Sequence, residues 1–306
     1  MFIKLAFLLT CLIGIGIGAV RYFQLSLNID QSTGFFLQTD WTVWMLWIGI
    51  ALLILIPLVS SFSQRAVKAR ASRSNLRFHG VFSLILAGSI LFDSYLSFSQ
   101  GFTVQSVALI ITILTEIAGI LSAIVFIVLG IHCLSGRTHS IFIGNLCAIP
   151  ALWCALRIGV SLVTYATVIP ISQRALNLLF DVLILLFMIG QGRCFLGIHT
   201  IKGRCTCLSF GISSAIIGLI AFVPGWIYSL NSSGINFGKP ELTTFTLSLY
   251  ALWFSIMAVF AAPQRDKSYF ISNRSLDRTV PFFEDTPVPY EQRPENSESI
   301  DTKTDM

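Results

Sequence analysis

Asp93, Glu116, Arg157 and Asp181 stand inside apolar runs long enough to cross a bilayer, and these are the residues best placed to do chemistry. An ionised group at membrane depth costs at least ~2.5 to 3.5 kcal/mol on insertion scales, so each needs a counter-charge, a neutral state or a water-filled pocket. At ~1.5 Å of rise per residue, Glu116 lies ~14 Å below the outer edge of its run, Arg157 and Asp181 ~8 Å, and Asp93 ~12 Å. All four fall in the outer half and form one candidate binding cluster. Two readings stay open. In one, the acids of a gated pocket take a cation or a proton while Arg157 neutralises one of them or holds an anionic group. In the other, Arg157 bridges to an acid, with Glu116 the expected partner, and the bridge only fixes helix packing.

A second set gathers at the opposite ends of the runs: His79, His132, His139, His199, Cys133, Cys194, Cys205 and Cys207. These are soft enough ligands for zinc or copper, but their spacing matches no metal signature. Histidine near a bilayer interface and cysteine in apolar surroundings are ordinary, so no metal is expected. None of the seven cysteines forms a CxxC pair or falls in an outer connection, and structural disulfides are not expected. HExxH, GxSxG, Walker A and paired-glutamate protease motifs are absent, and no cofactor or enzymatic activity is predicted.

The elements that must position these residues are transmembrane helices. Of 306 residues, 55% are hydrophobic and 11% charged, against ~25% charged in a typical soluble domain; mean hydropathy is +0.79. A soluble core of this size cannot enclose so many uninterrupted apolar runs. Eight spans are read at about 3–20, 41–60, 81–98, 107–131, 142–163, 176–198, 208–228 and 242–262. The first has the single charge Lys4 before its apolar stretch, as a signal peptide would. No clear small-x-small cleavage site precedes Arg21, and it is read as a retained span. Gly14 and Gly18, four residues apart, would let a neighbouring helix approach closely.

Arg65, Lys68, Arg70, Arg73 and Arg77 crowd the connection after the second span with no acid among them, which places that loop in the cytoplasm. With it go Arg137, Arg193, Lys202, Arg204 and both termini, leaving only Arg21, Arg174 and Lys239 outside. An odd number of spans would break that assignment. The five basic residues either anchor topology alone or also hold anionic lipid headgroups at ~1 kcal/mol each. The expected partners are therefore the bilayer, its anionic headgroups and a membrane protein or second copy, with no nucleic acid. Residues 263–306 begin basic and turn acidic, with Pro281, Pro287, Pro289 and Pro294, and read as a disordered cytoplasmic tail. Asn231 and Ser233 form a glycosylation sequon in the last outer connection.

The tract RYFQLSLNIDQSTGFF after the first span resembles one in uncharacterised multi-pass membrane proteins of anaerobic Firmicutes. The resemblance covers about 20 residues. It implies a bacterial cell-membrane protein and carries no catalytic motif.

A repeat also shows. Leu129, Gly130, Ile131 and His132, with Gly136 and Arg137, recur 67 positions on as Leu196, Gly197, Ile198 and His199, with Gly203 and Arg204. Gly80, Gly144 and Gly211 recur similarly. Spans two and three, four and five, and six and seven would then be three parallel copies of one helical hairpin. The fold expected is an all-α transmembrane bundle. Transport or permeation of a small charged solute is the sharper functional expectation. Its rival is a non-transporting sensor, assembly factor or complex subunit acting through the basic loop and the tail.

Overall fold

The computed structural model describes residues 2–28, 41–62, 69–70, 73–100, 106–135, 141–163, 171–196, 200–231, 242–260 and 262–263. Arg65, Lys68, Arg137, His139, His199, Lys239, Ser233 and the tail beyond Pro263 lie outside those residues, as does the second half of the tract carrying the Firmicutes resemblance.

The described chain is helical: α1 (Phe2–Phe23), continued by a π-helical turn (Gln24–Asn28), α2 (Trp41–Phe62), α3 (Arg73–Gln100), α4 (Ser106–Leu134), α5 (Ile141–Leu146), α6 (Ala148–Val163), α7 (Ile171–Leu196), α8 (Thr200–Asn231) and α9 (Leu242–Val259). The α5/α6 break follows from Pro150, whose ring displaces the carbonyl of Leu146 four residues back and offers it no donor. Together α5 and α6 make one span, giving eight helical segments among the described residues that are long and apolar enough to cross a membrane. Their outward faces are apolar. On α4, Ile110, Leu114, Ile117, Leu121, Ile124, Val128 and Ile131 are all exposed, a stripe with alternating spacings of four and three that one helix face generates. Water would penalise that stripe and acyl chains would not. The chain is a multi-pass integral membrane protein.

Six spans close a ring in which each packs on the next: α3, α4, α5/α6, α7, α8, α9 and back to α3. α1 and α2 stand outside it, packed on each other and on α8. Gly14 and Gly18 serve the close approach expected of them, with Ile216 and Ile220 of α8 occupying the space over them. Within the ring, Gly80 of α3 and Gly130 of α4 meet backbone to backbone: a Cβ on Gly80 would stand 2.8 Å from the Gly130 carbonyl oxygen. Gly144 of the next pair lies as tightly against Leu196 of α7. Glycine contacts in corresponding places therefore fall within the pairs α3/α4 and α5–α6/α7. That groups the hairpins one helix later than the pairing of spans two with three.

Helices overrun several apolar windows. α3 begins at Arg73, α8 at Thr200 and α1 ends at Phe23, so Arg77, Arg204 and Arg21 are helical residues. Backbone hydrogen bonding continues wherever the chain stays at membrane depth or packed on protein, and long basic side chains reach their partners from inside a helix. Ala69–Arg70 (β1) pairs antiparallel with Ala262–Pro263 (β2), which brings the basic connection and the root of the tail to the same end of the bundle.

Candidate functional site

Asp93, Glu116, Arg157 and Asp181 line one cavity of about 200 Å³ inside the ring. Ser94 and Ser97 of α3, Thr112 and Thr115 of α4, Trp153 and Ser161 of α6, Asn177 of α7 and Thr243 at the head of α9 complete its polar lining. Each of the four ionisable residues stands roughly two to three helical turns from the same end of the bundle. Alternating chain direction thus puts the close of α3 and α6 level with the opening of α4, α7 and α9.

The pairing differs from the expected one. Arg157 Nε lies 3.1 Å from Asp181 Oδ1, not against Glu116. α6 and α7 are adjacent in the ring, and Asp181, with a side chain only 3% exposed, is the acid with most need of a counter-charge. Arg157 also donates through Nη2 to Thr244 Oγ1 at 3.3 Å, and its guanidinium carbon lies 5.3 Å from the centroid of Trp153, one turn earlier on α6. Glu116 Oε2 instead accepts from Ser94 Oγ at 2.7 Å, across the α3/α4 contact.

Asp93 is used differently again. Its Oδ2 accepts the backbone N–H of Thr243 at 2.7 Å, one of the donors that the first turn of α9 leaves without an internal partner. A carboxylate there also opposes the positive end of the helix dipole. At the far end of α9, Arg204 Nη2 donates to the carbonyl of Ala258 at 3.1 Å. α9 is thus held at both termini by charges of the complementary sign.

A polar ladder runs from the cavity toward α1. Gln173, Asn177 and Asp181 repeat every four residues along one face of α7. Gln173 Nε2 donates to Asn177 Oδ1 at 3.3 Å and to the carbonyl of Ala221 at 2.9 Å. Arg21 Nη2 donates to Gln173 Oε1 at 3.0 Å. Arg21, read from sequence as lying in a connection, is fully buried within α1. Arg174 donates to the carbonyl of Ser161 near the end of α6, where a cation meets the negative end of that helix.

Deeper in the ring the cavity gives way to packed side chains. Ser89 Oγ and Thr246 Oγ1 are 2.5 Å apart between α3 and α9. Beyond them Gln191 hydrogen-bonds Tyr250 and lies 3.3 Å from His79 Nε2. The histidine ring packs on Tyr250, Phe195 and Phe254. His79 is therefore a core residue, and among the described residues no three His, Cys, Asp or Glu side chains converge as metal ligands. Of the five basic loop residues, Arg70 falls in β1, Arg73 opens α3 and Arg77 is exposed one turn on.

The uncharged lining was not read from the sequence, although a signal for it existed. Ser97, Thr112, Trp153, Ser161 and Asn177 each stand four residues from one of the four ionisable residues, on the same helix face. Thr243 has no such signal, since only the fold carries the head of α9 to Asp93. No family model, curated protein or solved structure matches this chain.

Proposed function

We propose that this membrane protein transports or conducts a small charged solute by way of the cavity between α3, α4, α6, α7 and α9. The observation that carries the reading is the convergence of four ionisable side chains from four helices on one cavity, where packing alone would favour apolar residues. At about 200 Å³ it is smaller than the ~300 to 1,000 Å³ of pockets for drug-sized ligands, which suits an ion or a solute of a few heavy atoms. The packed layer around Tyr250 would be the barrier such a solute crosses when the bundle rearranges.

The test is flux in proteoliposomes holding the full chain, with pulses of sodium, potassium, methylammonium, guanidinium, chloride and acetate. The expected result is a saturable current for at least one of them that falls at least tenfold in Glu116→Gln. Folded, monodisperse protein giving no current above empty liposomes for any of the six would sink the proposal.

A second reading, a non-transporting component working through its basic loop and tail, is favoured by the β1/β2 pairing that joins the two. Deleting residues 264–306 separates the readings. The cavity reading expects flux to survive, and a loss of cellular function with flux intact points to the rival.

A further inference from the structure

We propose that the cavity is a site for a primary ammonium group, bound by Glu116 and Thr243; this rests on the cavity being a solute site, as argued above. The argument follows where each polar group's capacity is already spent. Arg157 is engaged by Asp181, Thr244 and the Trp153 ring, so the one guanidinium of the lining is committed within the protein. Asp181 is answered by that guanidinium and Asp93 by the first turn of α9. Glu116 differs, because its contact among the described residues is a neutral hydroxyl, Ser94. Among the described residues it is the carboxylate of the lining with neither a cation nor a helix terminus against it.

The hydroxyls point to the same ligand. Ser97 Oγ donates to the carbonyl of Asp93 at 3.1 Å, Thr115 Oγ1 to that of Ile111 at 2.8 Å, and Ser94 Oγ to Glu116. With their hydrogens committed, these oxygens offer a ligand only lone pairs. Thr243, 3% exposed, carries a buried Oγ1 with no hydrogen-bond partner among the described residues. A buried hydroxyl left so is costly, and an occupant that supplies N–H donors removes the cost. An anion would meet the carboxylates of Asp93, Glu116 and Asp181, with the already engaged guanidinium of Arg157 as the cation of the described lining. A divalent metal would need several oxygens converged on one point, and among the described residues no three His, Cys, Asp or Glu side chains converge in that way. An ammonium carries three separate donors and matches acceptors spread around a small cavity.

Binding is measured on the full chain in detergent, titrated with methylammonium chloride, and with tetramethylammonium chloride, potassium chloride and sodium acetate at equal ionic strength. Saturable methylammonium binding is expected, at least tenfold tighter than tetramethylammonium, which has no N–H donor. Glu116→Gln should weaken it at least tenfold and Thr243→Val several-fold, with unfolding midpoints close to that of the parent protein. Potassium or acetate binding as tightly as methylammonium, no saturable methylammonium binding, or binding unchanged in Glu116→Gln would each overturn the assignment. The flux assay above keeps the two proposals apart. Methylammonium binding without flux of any ion leaves the site standing and removes transport; flux of another ion without methylammonium binding does the reverse.

Discussion

Arg157 is the residue on which the cavity's electrostatics turn, because it is the guanidinium of the described lining and is paired with the buried Asp181. Replacing it with methionine leaves Asp181, 3% exposed, without its counter-charge; removing one partner of a buried pair costs ~3 to 5 kcal/mol. Arg157→Met should therefore lower the SDS midpoint of unfolding sharply, and adding Asp181→Leu should recover most of the loss. A double-mutant cycle gives the sharper check. The coupling of Arg157 with Asp181 should fall in the ~0.5 to 3 kcal/mol range of contacting residues, while that of Arg157 with Glu116 should be close to zero. The reverse order would mean that the pairing described here is not the one that forms in the bilayer. Asp93→Ala removes a helix cap and should cost ~0.5 to 2 kcal/mol, whereas Asp93→Asn keeps an acceptor for the Thr243 N–H and should cost less. Either loss is read from the same unfolding curves.

At the scale of the element, close helix contacts are set by which glycines face a neighbour. Gly80 and Gly130 each look onto the other's carbonyl oxygen, and a Cβ at Gly80 has nowhere to go. Gly88, two turns along the same helix, is exposed and meets nothing within 4 Å. Gly80→Ala should destabilise by ~1 to 3 kcal/mol through overpacking. Gly88→Ala should be neutral, or stabilising by up to ~1 kcal/mol through helix propensity. Equal unfolding midpoints for the two variants would contradict the α3/α4 packing. α9 shows the same logic with small polar residues. Gly211 and Gly218 of α8 receive Ser255 and Ser248, seven residues apart on α9, and Ser248 and Ser255 return their hydroxyl hydrogens to their own helix at Thr244 and Ala251. A helix of modest apolarity is thus seated deep in the bundle without unpaired serine hydroxyls.

For the whole molecule, the even number of spans and the β1/β2 pairing require the loop after α2 and the end of α9 to share one side of the membrane. The lysine and arginine counts of the sequence make the cytoplasm the expected side. A fluorescent protein fused after Met306 should therefore fold and fluoresce in bacterial cells, and an alkaline phosphatase fused there should be inactive. The opposite pattern would invert the topology and place the cavity on the inner side. The ring of six spans, with α1 and α2 outside it, also sets where motion would have to occur. A solute passing the Tyr250 layer needs α9 to shift against α3 and α4, because those helices supply His79, Phe126 and Tyr250.

The spans and the four ionisable residues were legible in the linear chain because the bilayer imposes a one-dimensional rule. About 20 apolar residues cross it, and a charge within them is an exception that shows at once. Even the shared level of Asp93, Glu116, Arg157 and Asp181 near one end of the bundle followed from counting residues along a helix. Which acid Arg157 meets did not, since α4 with Glu116 and α7 with Asp181 both flank α6 in the ring, and only the tertiary packing turns the guanidinium to the more deeply buried Asp181. The basic residues of the second-span loop likewise stood out in the sequence, while Arg21, four residues past Ile17 on the same helix face, gave no sign of being buried against Gln173. Polar satisfaction inside a membrane is a pairwise matter between helices distant in sequence, and tertiary structure alone decides those pairs.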